Sequence, residues 1–180
     1  MRIIGGKHRS RQLKMVGKIT TRETADMVRE SVFNMLGGTV NGVVLDLFAG
    51  SGSYGLEAIS RGASHATFVD LDVDAIKTIK TNANMLKEEA HATLIVKDAM
   101  KYLTLLKDDQ FFDLVFIDPP YELDVYIDVI SMLSSHIHPN GLVVCESKKQ
   151  IVLPEAMGDF EKIKDKTYGI KRISIYEKKA

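Results

Sequence analysis

The sequence predicts an α/β fold: a doubly wound, mostly parallel seven-stranded sheet with an antiparallel edge hairpin and a basic N-terminal extension. Three observations carry this reading. From residue 43 onward, short apolar runs alternate with stretches of helical periodicity, the pattern of a parallel sheet with crossover helices. The last two extended stretches have no helix between them, so they must turn back as a hairpin. At 180 residues, 45% of them apolar, the chain can bury one hydrophobic core, which predicts a single domain over 1–180.

The elements follow in order. "ETADMVRESVFNML" sets Ala25, Val28, Val32 and Met35 on one helical face, and Gly37–Gly38 ends that helix. "VVLDLF" (43–48) reads as a buried strand, and "SYGLEAISR" (53–61) as a short helix closed by Gly62. "ATFVD" (66–70) is the second strand. Asp72 then suits the N-cap of a helix with Val73, Ile76, Ala83 and Leu86 inward. "ATLIV" (92–96) gives a third strand, followed by a short helix through "AMKYLTLL". "FDLVFID" (112–118) is the fourth, and Leu123, Tyr126, Ile127, Ile130 and Leu133 mark one side of the next helix. "GLVVCES" (141–147) is the fifth. The hairpin uses 160–167 and "IKRISIYEK" (170–178), joined through Tyr168 and Gly169.

Composition narrows the functional classes. No apolar run is long enough to span a membrane, and the opening "MRIIGGKHRSRQ" lacks the apolar core of a signal peptide. The single cysteine excludes an intrachain disulfide and fits a cytoplasmic setting. Net charge is zero, yet residues 1–22 hold seven basic side chains and no acidic one. A basic arm on an acidic body suits a polyanion such as nucleic acid; a merely solvated terminus is the alternative.

Four motifs fall beyond the carboxyl ends of the strands, where ligands bind in such sheets. "DLFAGSGSYG" places Gly50, Gly52 and Gly55 in the spacing G-x-G-x-x-G, shared by dinucleotide loops and by ordinary tight turns. Asp46, four residues before Gly50, would repel a pyrophosphate and suit a ligand carrying an amino group and a sulfonium, which favours S-adenosylmethionine; a carboxylate capping loop amides is the alternative. Asp70 closes the second strand, where a carboxylate accepts ribose hydroxyls. In "KDA" (97–99), Asp98 can accept from an adenine amine while the Ala99 amide donates to the ring; a helix cap competes for Asp98.

"DPPY" (118–121) is the most specific of these stretches. Its two prolines lack N–H groups and stiffen the loop. The Asp118 carboxylate and Pro119 carbonyl are then fixed acceptors for an exocyclic amine, with Tyr121 as a stacking face.

"DPPY" is similar to the [DNS]-P-P-[YFW] motif of adenine-N6 and guanine-N2 methyltransferases. With "MRIIGGKHRSRQL", "DLFAGSGSYGLEAISRGA", "FVDLD" and "YGIKRISIY", the chain resembles the bacterial RsmD family of 16S rRNA guanine-N2 methyltransferases along nearly its whole length. The family segment R-P-T-x-x-R-V-R-E stands here as "RETADMVRE", with Glu23 for proline and Met27 for a basic residue. The resemblance implies a Rossmann-like class I S-adenosylmethionine-dependent methyltransferase that acts on 16S rRNA or a small-subunit assembly intermediate. It implies catalytic roles for Asp118, Pro119 and Tyr121, and cofactor contacts from Asp46, Phe48, Ala49, Gly50, Ser51, Gly52, Asp70, Leu71, Asp98 and Ala99. RNA contacts fall to Arg2, Lys7, Arg9, Arg11, Arg22, Thr24, Arg29 and Pro120. No metal is expected, and a monomer is favoured.

Other constellations read as structural. Cys145 suits the core, which disfavours a cysteine-dependent cytosine methyltransferase, and His136 with His138 suits a solvated helix end. Two readings stay open beside the first: an adenine-N6 methyltransferase acting on DNA or RNA, and an inactive nucleic-acid-binding protein of the same fold.

Overall fold

The computed structural model describes residues 1–17 and 22–180, apart from the side chains of Arg22, Glu23 and Thr24. Lys18 and the RNA contacts expected of Arg22 and Thr24 therefore lie outside the described residues. The helices are α1 (Arg22–Met35), α2 (Ser53–Ser60), α3 (Val73–Leu86), α4 (Ala99–Thr104) and α5 (Tyr126–Leu133). The strands are β1 (Val43–Leu47), β2 (His65–Asp70), β3 (Ala92–Val96), β4 (Phe112–Ile117), β5 (Ile137–Lys148), β6 (Ala156–Met157), β7 (Phe160–Tyr168) and β8 (Lys171–Lys178).

One sheet runs in the order β3-β2-β1-β4-β5-β8-β7-β6. The first five of these strands are parallel, and β8, β7 and β6 add antiparallel. The sheet thus has eight strands rather than seven. The additional one, β6, is two residues paired with the start of β7, too short to leave a periodic signal. The order reverses between β1 and β4, so ligands have their crevice beside the ends of those two strands.

The strands are apolar because both faces are covered. Val44, Phe68, Phe116 and Ile175 pack on one side with Val28, Val32, Leu56 and Ile79 from α1, α2 and α3. Leu45, Val115, Val143 and Cys145 pack on the other with Leu103, Tyr126, Val129 and Leu133 from α4 and α5. Cys145 is buried in the core as expected.

Three burial expectations need correction. Val73, the first residue of α3, is half exposed, and the buried face starts with Ala75 and Ile76. Leu123 precedes α5, and Ile127 faces outward, leaving Tyr126, Val129, Ile130 and Leu133 as the buried face. His136 is buried rather than solvated, with Nδ1 2.9 Å from the Gln110 carbonyl.

The basic segment is a docked clip, not a free arm. Arg2 pairs with Gln12 in an antiparallel bridge, and Ile3 and Leu13 enter the core. Ile4 and Gly5 N–H groups donate to the Glu57 carboxylate, each at 2.9 Å. Glu88 receives Lys7 at 2.5 Å, His8 at 2.6 Å and His91 at 2.6 Å. Burial pushes the Glu88 carboxyl up, but bonds from His8, Lys7 and His91 outweigh it and bring it down to about 2.

Candidate active site

The glycine loop leaves β1 through Phe48, Gly50 and Gly52, all at positive φ (58°, 56° and 80°). Two glycines relieve most of that strain, while Phe48 bears it alone. The third glycine answers a different demand. A Cβ on Gly55 would stand 2.3 Å from Phe68 Cε1, so α2 can approach β2 this closely only without a side chain there.

Asp46 is buried beneath the loop and accepts from the Gly55 N–H at 2.9 Å. Burial pushes its carboxyl up to about 8, against the opposing Gly55 bond and with help from Asp70. The capping alternative therefore describes its contact. Ala49, Ser51 and Gly52 are buried too, with the Ala49 N–H on the Val69 carbonyl and the Ser51 carbonyl on Asn82 Nδ2. These four residues, and Gly50 with them, shape the loop and do not line the cavity in front of it. The tight left-handed turn folds Ala49, Ser51 and Gly52 inward, and Asp46 lies beneath it on β1.

Asp70 is held from both sides. Gly50 N–H donates to Oδ2 and Asp72 N–H to Oδ1, each at 2.8 Å, which aims the remaining lone pairs outward. Asp72 caps α3 by accepting from Asp74 N–H at 2.9 Å, and Asp98 caps α4 by accepting from Lys101 N–H at 3.0 Å.

A cavity of about 410 Å³ lies across these strand ends. Phe48, Asp70, Leu71, Asp98 and Ala99 line one half, and Asp118, Pro119, Pro120 and Tyr121 the other. Nine of the expected site residues thus converge on one space, which is large enough for a nucleoside-sized ligand. Burial, then the nearby Glu146 carboxylate, raises the Asp118 carboxyl well above its ordinary range, with Lys171 opposing and Asp46 adding.

Glu146 and Lys171 also line the cavity, and sequence reasoning missed both. Glu146 is buried at the end of β5, accepting from Tyr54 Oη at 2.7 Å and pairing with Lys171 Nζ at 2.6 Å. A carboxylate interrupting "LVVCES" is the same signal that marked Asp46. Lys171 left no such signal, because only the antiparallel return of β8 beside β5 brings it there. Tyr121 is half-buried, with Lys148 Nζ 5.4 Å from its ring centroid.

A narrower cleft of about 90 Å³ joins Asp118, Tyr54 and Glu146 to Met1, so the clip borders the site. Arg2, Lys7, Arg9 and Arg11 remain on the surface. Arg29 does not. It is fully buried, with Nη2 on the Arg2 carbonyl and on Asp26 and Nε 3.6 Å from Glu57, so it fastens the clip and cannot reach RNA. Among the described residues, no cluster of three metal-ligating side chains is present.

Residues 1–177 match the model of the family described as conserved hypothetical protein 95. The chain is 39% identical over 183 residues to YlbH of Bacillus subtilis, covering 99% of this chain and 100% of that one. It is 32% identical to the ribosomal RNA small subunit methyltransferase D of Escherichia coli, covering 100% of this chain and 91% of the relative. The solved structure of YhhF from Escherichia coli superposes with a TM-score of 0.85 at 32% identity, covering 100% and 98% of the two chains. A family match over nearly the whole chain, on a fold whose strand ends carry the Asp70 and Asp118 loops, makes this protein a member of the ribosomal RNA small subunit methyltransferase D (RsmD) family.

Proposed function

We propose that the protein transfers the methyl group of S-adenosylmethionine to the exocyclic N2 amine of a guanine in 16S rRNA, on the free RNA or an assembling small subunit. The observation that carries this reading is the Asp118–Tyr121 loop facing Asp70 across one cavity. Asp70 accepts the ribose hydroxyls, Leu71 and Phe48 flank the nucleoside, and the Ala99 amide meets the adenine. The acidic side chains of Asp46, Asp70, Asp118 and Glu146 crowd one site and hold one another's protons, so a cationic sulfonium is favoured there and a pyrophosphate opposed.

A guanine amine is a poor nucleophile because its lone pair is delocalised into the ring. Asp118 and the Pro119 carbonyl accept its two N–H groups, drawing the nitrogen towards tetrahedral geometry with its lone pair on the methyl group. Carbon–nitrogen bond formation then breaks the carbon–sulfur bond, and the amine proton leaves towards Asp118. Positioning and electrostatics supply the acceleration. The base stacks on Tyr121 after leaving an unpaired rRNA loop, where extrusion costs least.

The test is to map methylated guanines in 16S rRNA from cells with and without the protein, then to restore the missing one in vitro. Loss of one N2-methylguanine supports the reading; an unchanged methylation map sinks it.

The surface cations of the clip hold phosphates around the target. Since Ile3 and Leu13 sit in the core, deleting the segment would damage the fold, and charge removal is the cleaner probe. The double variant Arg9→Ala/Arg11→Ala is expected to weaken RNA binding by about tenfold at moderate salt and to lower the salt slope by about 2. Cofactor affinity stays unchanged. Equal RNA affinity across a salt titration would remove the clip from the RNA interface.

A further inference from the structure

At the inner wall of the cavity β4 and β5 end and β8 begins, and each contributes one polar side chain. Asp118 follows Ile117, whose register partner on β5 is Cys145, so Asp118 stands beside Glu146. Lys171 opens β8 opposite Lys148, two residues beyond Glu146 on the same face of β5. Its ammonium reaches back to Glu146 Oε1 at 2.6 Å. The wall therefore reads acceptor, acceptor, donor across the sheet. Glu146 spends one lone pair on Tyr54 Oη and one on Lys171, leaving further acceptor capacity towards the cavity.

The Watson–Crick edge of guanine presents donor, donor, acceptor in its N2 amine, N1–H and O6. Adenine presents the exocyclic amine beside an N1 lone pair, with no further acceptor beyond it. We infer that Glu146 and Lys171 select guanine over adenine, Glu146 accepting from N1–H and Lys171 donating to O6 while Asp118 and Pro119 hold the N2 amine. This rests on the guanine-N2 reading above and adds what that reading leaves open, because the Asp118–Tyr121 loop serves either amine.

The physical case is one of matched charge. A carboxylate fits N1–H and repels the N1 lone pair of adenine in a pocket with little water. Lys171 is fixed by Glu146, so it meets O6 already oriented, with little side-chain entropy left to lose. Burial lowers the readiness of Lys171 to hold its proton, but Glu146, Asp118 and Tyr121 more than compensate, so it remains a cation. The Tyr54 hydroxyl, held to Glu146, keeps the carboxylate from rotating away.

2-Aminopurine separates the elements of this reading. It keeps the N2 amine that Asp118 and Pro119 hold, but it lacks O6 and carries a bare N1. The experiment uses 16S rRNA ligated so that the mapped position holds guanine, 2-aminopurine or adenine. Wild type is expected to prefer guanine to 2-aminopurine by roughly a thousandfold in kcat/KM, since a site built for polar groups rejects an analogue that lacks them. Lys171→Met lowers transfer to guanine by roughly a hundredfold and transfer to 2-aminopurine by less than about fivefold. Glu146→Gln, which offers an N–H to the bare N1, raises 2-aminopurine relative to guanine. Calorimetric cofactor affinity and the thermal midpoint report whether each variant is intact, and Lys171, partly exposed, is the safer of the two to change.

Wild-type transfer to guanine and 2-aminopurine within tenfold of each other overturns this inference and leaves the guanine-N2 reading standing. An equal loss on both bases in Lys171→Met does the same. Methylation of the adenine substrate with none on guanine overturns both.

Discussion

Asp118→Ala lowers methyl transfer by roughly a thousandfold in kcat/KM while the protein still binds S-adenosylmethionine, as read by single-turnover methylation and by calorimetric titration of the cofactor. The split follows from the two halves of the cavity. Asp70, fixed by the Gly50 and Asp72 amides, serves the cofactor, whereas Asp118 meets the base. Removing the carboxylate leaves one acceptor, the Pro119 carbonyl, for two N–H groups, and the amine loses both its geometry and its proton acceptor. Full methylation by the alanine variant would end the assignment.

Asp118→Asn separates the acceptor role from the proton role. Burial and the Glu146 carboxylate raise the Asp118 carboxyl, so at low pH it carries a proton and cannot accept fully from the amine. Wild-type transfer should therefore rise with pH as Asp118 ionises, the deprotonated form being the active one. An asparagine keeps one oxygen acceptor and has no such titration. It retains part of the activity and loses this limb of the pH profile. A variant with the wild-type profile would assign that limb to another group.

Much of this was legible from residue types at given spacings, and the exceptions share a cause. The order of strands and helices, the Asp72 cap and the Asp118 loop depend on residues close in sequence, so periodicity and turn chemistry report them. Gly55 was visible as spacing, but its purpose, contact with the Phe68 ring, depends on the tertiary approach of α2 to β2. Lys171 is separated from Asp118 by more than fifty residues and joins it only because β8 inserts between β5 and β7. The clip shows the limit most clearly. Seven basic residues with no acidic neighbour read as a free polyanion-binding arm, because sequence charge does not reveal acidic partners supplied by α2 and the turn after α3. Arg29 reads as an RNA contact only through the family segment that it matches, and that match does not reveal its burial among the Arg2 carbonyl, Asp26 and Glu57.

Glu57 is where these contacts meet. Glu57 is fully buried on α2 and receives Arg61 Nε at 2.9 Å together with the Ile4 and Gly5 amides. Arg29 Nε, 3.6 Å away, has no closer partner among the described residues and depends on the Glu57 charge. Glu57→Gln removes that charge and turns an N–H towards groups that are all donors. Breaking a buried pair from one side typically costs about 3–5 kcal/mol, so the thermal midpoint should fall by about 10 °C. Simple packing damage would lower the midpoint without choosing a location. Loss of the anchor would instead expose the Ile4 and Gly5 amides to hydrogen exchange before the sheet opens, and would weaken RNA binding although every surface cation is still present. An unchanged midpoint with protected Ile4 and Gly5 amides would show that Glu88, Ser60 and the buried Ile3 and Leu13 hold the clip without the Glu57 charge. The combination of early exchange and lost RNA affinity would mean that the clip contributes charge only while docked, since its inner end borders Asp118 through Met1.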